Sequence, residues 1–187
     1  MNSPFIRRPW NVTPAAPLVA ALVLSVGTFG CNQVQTNASE ATADFQGTAT
    51  TTYTWQVEYV PRSPGQDRPN DRRLEQFEST TLTTTNGIRP DAAGSGPDSK
   101  GLWWPPLPPE PTVDDIEARL RSGETARSPE IIKSTDYTLS FNQAGEAKTL
   151  PTDYEVYRQS VRAFERDRPL QLTLGPQDNS VIQAEIQ

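Results

Sequence analysis

The stretch TTYTWQVEYV, residues 51–60, constrains the fold more than any other part of the chain. Tyr53, Trp55, Val57 and Tyr59 alternate with Thr52, Thr54, Gln56 and Glu58. Successive side chains of a strand point to opposite faces, so a period of two built from aromatic and β-branched residues specifies a strand with one buried face. Such a strand needs neighbours that pair with it and a layer that covers its aromatic side. The rest of the chain must therefore supply both.

The neighbours are readable. LEQFESTTLTTTNG (74–87) is rich in threonine and ends in the tight-turn pair Asn86-Gly87, which predicts a second strand paired with the first. Its apolar positions, Leu74, Phe77 and Leu82, do not keep one phase. STDYTLSFNQAGEAKTLP (134–151) reads as a hairpin, with Tyr137, Leu139 and Phe141 on one face and a turn over Asn142–Glu146. PLQLTLGPQDNSVIQAEI (169–186) reads as another, with Leu170, Leu172 and Leu174 alternating, GPQDN turning, and Val181–Ile186 returning.

Two helices supply the cover. In PTVDDIEARLRSG, Thr112 is the N-cap with Asp115 three residues on, Gly123 is the stop, and Val113, Ile116 and Leu120 form an apolar stripe. In TDYEVYRQSVRAFERDRP, Thr152 and Glu155 form a capping box, and Tyr154, Tyr157, Val161 and Phe164 recur at helical spacing. The fold class this predicts is α+β: a small antiparallel sheet of about five to six strands with two short helices, in a single domain over residues 53–187. A long Gly/Pro-rich loop at 88–111 interrupts it. The first half of that loop, RPDAAGSGPDSKG, reads as mobile.

Composition narrows the chemistry. The chain of 187 residues has no histidine, a single cysteine and a net charge of −6. Without histidine the common general base and the common metal ligand are both missing, and triads that need it are impossible. One cysteine allows no internal disulfide and no Cys-rich zinc site. An acidic chain has no surplus cation to neutralise phosphates, so nucleic acid is not an expected partner. Asp114, Asp115 and Glu117 crowd a first helical turn, where acids complement the helix dipole. No catalytic residue, metal site, cofactor or small-molecule substrate is inferred.

Residues 1–30 follow the grammar of an export signal: Arg7 and Arg8, then the apolar run Leu18–Phe29, then a small residue. The run is short for a membrane span. The only cysteine comes next, in Thr28-Phe29-Gly30-Cys31. This resembles the bacterial lipoprotein signal, whose lipobox sets a small residue before the lipid-bearing cysteine. Gly30 and Cys31 match, while Thr28 and Phe29 depart from the usual leucine and small residue. The resemblance covers residues 1–31 alone. It implies cleavage before Cys31, a thioether-linked diacylglycerol and an added acyl chain such as palmitate. The protein would be anchored by lipid to an extracytoplasmic membrane face, periplasmic or cell-surface. Removal of residues 1–30 leaves 15 basic against 23 acidic residues, a net of −8. Residues 31–52, polar and poor in large apolar groups, read as the lipidated cysteine and a flexible tether.

Two features are candidate contacts for a protein partner or a glycan. Arg158, Arg162 and Arg166 line one helix face at four-residue spacing, next to Glu155 and Glu165. GLWWPPLPPEP (101–111) admits three readings: a PxxP ligand, a sugar platform formed by Trp103 and Trp104, or a pre-stiffened strap that packs on its own domain. The favoured reading is the strap. The function expected is that of a membrane-anchored lipoprotein acting as a non-enzymatic accessory or partner-binding protein. The alternative is a cell-wall glycan-binding module using Trp103 and Trp104.

Overall fold

The structure, a computed structural model, describes residues 42–62 and 72–187. The expected signal peptide, Cys31 and the expected tether up to residue 41 lie outside the described residues. The elements in chain order are β1 (Phe45–Pro61), β2 (Arg73–Thr85), α1 (Val113–Ala118), β3 (Glu124–Ala126), β4 (Glu130–Gln143), β5 (Glu146–Thr152), α2 (Tyr154–Glu165), β6 (Leu170–Leu174) and β7 (Val181–Ile186). They make one seven-stranded sheet in the order β2-β1-β4-β5-β7-β6, with β3 paired to β1 beyond the end of β4.

The α+β expectation holds at this level, with three corrections. The sheet is larger and dominates the domain. It is mixed, because Thr152 of β5 pairs in parallel with Val181 of β7. It is the second strand of the last hairpin, β7, that docks on β5, with β6 outside it. The ordered domain also begins earlier than residue 53: β1 already runs from Phe45, so residues 45–52 are strand and not tether.

β1 is the spine. Its odd-numbered side chains from Gly47 to Tyr59 face inward, and its even-numbered ones, Thr48, Thr50, Thr52 and Thr54, face outward. On the outward side these lie beside Thr85, Thr83, Thr81 and Ser79 of β2 and Thr138, Asp136, Ser134 and Ile132 of β4. The broken phase of β2 has a local cause. Between Thr54↔Ser79 and Gln56↔Gln76, β1 advances two residues and β2 three, so β2 carries a bulge. One extra residue brings Phe77 to the side of the sheet that Leu82 occupies, and leaves Leu74 exposed.

The sheet curls until its edge strand β6 meets the approach to β1. Just before β1, Thr42 exchanges backbone hydrogen bonds with Leu170 of β6, at 2.7 and 2.8 Å. Helix α2 fills the concave side. Leu139, Phe141, Leu170, Leu172, Leu174 and Val181 pack around its Val156 and Ala163, and a second cluster joins Ala49 and Leu102 to Tyr157 and Val161.

Both helices start close to where their caps predict. Thr112 and Asp115 form the full reciprocal capping box of α1. That helix stops at Ala118, however, and its Val113 is 69% exposed while Ile116 is half-buried, so the expected stripe is only partly packed. For α2 the cap moves by one residue. Thr152 still belongs to β5 and donates its hydroxyl to Val181 O, and Asp153 takes the N-cap by accepting from Val156 N. The buried face is formed by Val156, Tyr157, Ser160, Val161 and Ala163, and Phe164 is 45% exposed.

Candidate functional site

The inward face of β1 meets a succession of covers along its length. Gly47 and Ala49 lie under α2. Thr51 donates its hydroxyl to Trp103 O at 2.8 Å. The Tyr53 ring stacks on Trp104, with centroids 5.0 Å apart. Trp55 Nε1 donates to Pro108 O at 3.0 Å, and Tyr59 Oη donates to Ile116 O at 2.9 Å. The Trp-Pro stretch is thus laid along the strand whose alternation predicted it, between α2 and α1.

Its burial has a period of three. Leu102, Pro105 and Pro108 are buried and Pro111 is half-buried, whereas Pro106, Leu107 and Pro109 are exposed. Three residues per turn is the repeat of polyproline II. Pro105 and Pro108 carry the PxxP spacing, and they are the two prolines turned onto the protein's own sheet. Trp104 is buried too, 7% exposed, with Lys133 Nζ 5.1 Å from its ring centroid. Trp103 is half-buried, donates from Nε1 to Gly87 O, and has the Arg89 guanidinium 5.3 Å from its ring.

The first half of the loop, expected to be mobile, is folded back on this segment. Ser95 and Trp104 exchange backbone hydrogen bonds at 2.9 and 3.2 Å, and Asp98 N donates to Leu102 O. The Asp98 carboxylate then accepts from Lys100 N, Leu102 N and Trp104 Nε1 at 2.9–3.0 Å. Desolvation works to raise its pKa. The three donors and the Lys100 charge outweigh that and hold it below the ordinary value. Sequence reasoning missed Asp98 as the organiser; an Asp two residues before a backbone donor, in PDSKG (97–101), was the available signal.

The arginines are brought only partly to this place. Arg158 reaches the strap, where a Cβ on Gly101 would lie 3.3 Å from its Nη1. Arg162 and Arg166 are exposed further along α2, and Arg166 is its C-cap residue. Beside the strap Tyr137, Tyr154 and Tyr157 cluster, with centroids 5.2 and 5.9 Å from Tyr137. Burial, then the neighbouring Tyr137, pushes the Tyr157 phenol up to about 12. Its hydroxyl lies toward the Gly87 backbone without a well-formed hydrogen bond, so it is neutral and structural at neutral pH.

At the other end of the domain, Arg73 holds the β2–β3 junction. Its guanidinium sits 4.3 Å from the Tyr59 ring centroid, bonds Glu124 at 2.8 Å, and also pairs with Glu75. The hydrogen bond from Arg73 is the main reason the Glu124 carboxyl lies below its ordinary range. Among the described residues no three His, Cys, Asp or Glu side chains gather in a metal-binding group. Comparison with family models, with curated proteins and with solved structures returns no match.

Proposed function

We propose that the protein is a membrane-anchored extracytoplasmic lipoprotein that acts as a binding or accessory protein and not as an enzyme. The observation that carries this reading is a spacing. Ten residues separate Cys31 from Thr42, the first described residue, which is bonded into the domain through Leu170. At full extension they reach about 35 Å, so an acylated Cys31 would keep the domain beside its membrane. The carboxylates have structural tasks that support the non-catalytic part. Glu58, Glu75 and Glu124 pair with arginines, Asp115 and Asp153 cap helices, and Asp98 closes the strap. The outward face of the sheet, carrying Thr48, Thr50, Thr52 and Thr81, is a broad hydroxyl-bearing surface of the kind a partner protein contacts.

Intact mass of the protein from the membrane fraction tests the anchor. The expected species begins at Cys31 and carries diacylglycerol plus an acyl chain, and Cys31→Ser moves the protein to the soluble fraction. A species beginning at Cys31 without acyl mass would sink the reading. Glycan binding by Trp103 and Trp104 is supported less well, because Trp104 is stacked on Tyr53. A tryptophan emission shift on titration with cell-wall glycan would reinstate it.

A further inference from the structure

The chain enters the folded domain at a defined place. Thr42 is bonded to Leu170, and Ala43, Asp44 and Phe45 then line a groove with Ala163, Phe164 and Arg168. That is the C-terminal end of α2. The surface here combines the exposed aromatic ring of Phe164 with the exposed Arg162, Arg166 and Arg168. Arg168 donates from Nε to Gln187 O, and Arg162 and Arg166 have no ion-pair partner among the described residues. Asp44, Glu165 and Asp167 share the region, so it has no large net charge.

We propose that this end of α2, Phe164 with Arg162, Arg166 and Arg168, rests on the phospholipid bilayer in which Cys31 is anchored. The threonine-covered face of the sheet, on the side away from α2, then points outward from the membrane. This rests on the anchored reading above. Read as the tether their composition predicts, residues 32–41 have a root-mean-square span of roughly 17 Å, which would hold the face nearest residue 42 close to the lipid surface, where tethering makes weak contacts count. An aromatic ring flanked by arginines suits the interface: the ring enters the headgroup boundary, and the arginine stems lie along apolar surface while their guanidinium groups reach lipid phosphates. Such fork-to-phosphate contacts are local, so the nearby carboxylates do not cancel them.

The test uses the full lipidated protein in vesicles of equal parts phosphatidylglycerol and phosphatidylethanolamine. With the Cys31 sulfur in thioether linkage, Glu165→Cys or Thr83→Cys supplies the one free thiol for a spin label. We expect the label at residue 165 to be several-fold less accessible to a water-soluble nickel chelate than the label at residue 83. Adding Phe164→Ser and Arg162→Gln should restore its accessibility with the circular dichroism spectrum unchanged. Equal accessibility of the two labels in protein that floats with the vesicles overturns the proposal and leaves the anchor standing. Protein that does not float overturns both. Protection of residue 165 that persists in Cys31→Ser protein without vesicles marks a protein contact instead, and also overturns it.

Discussion

Gly47 sits on β1 directly beneath α2, where an added Cβ would come 2.1 Å from Ser160 Oγ and 3.2 Å from Ser160 Cβ. Both groups are buried, so the helix would have to lift. Gly47→Ala should cost about 1–3 kcal/mol in urea unfolding, and Ser160→Gly in the same chain should recover most of it as a coupled pair. Asp98 gives a second expectation, this time in pH. Its folded value is held below the ordinary 3.8. A depressed carboxylate stabilises the fold fully above its unfolded value and loses that contribution as pH falls through the folded one. Iodide quenching of tryptophan emission should therefore rise as the pH drops below 3.8, and Asp98→Ala should show the same quenching at neutral pH. Residues like Tyr53 and Val57 were legible in the sequence because their burial follows from local alternation. Asp98 was not, since its three donors converge only once the loop has closed.

At the scale of elements, the strap is the most informative piece. A proline-stiffened segment loses little entropy on docking, and its anchor is Trp104 against Tyr53. Trp104→Ala should destabilise the domain by about 3–5 kcal/mol, measured by urea denaturation, which a surface platform residue would not do. The strap reading was available from stiffness and aromatic content. Which prolines face inward was not, because that depends on the pairing of a threefold repeat with a flat strand. Helix α2 shows a similar limit. Its existence was plain from the apolar spacing, but the competition between Thr152 as a β5 residue and Thr152 as a cap was decided by Val181 O, a partner 29 residues away. In β2 the bulge broke the phase, hiding a sound strand behind an irregular pattern.

At the scale of the whole molecule, local signals predicted every hairpin and could not predict how hairpins join. The parallel contact of Thr152 with Val181 and the closure of Thr42 on Leu170 are both choices between distant segments. The three residues of β3 carried no pattern at all; they pair because β1 outruns β4. The closure can be tested by itself. Thr42→Pro removes the N–H that donates to Leu170 O. Amide exchange should then speed up at Leu170 and along the β6–β7 hairpin, with β1 and β2 keeping their protection. The same closure also sets an order of events. β1 lies inside the sheet, between β2 and β4, yet its long partner β4 and the residue that seals the ring, Leu170, are made much later. Non-local pairing of this kind folds in milliseconds to seconds. For a chain read as exported, the delay is useful: the segment that leaves first stays open until almost all of the domain has passed through.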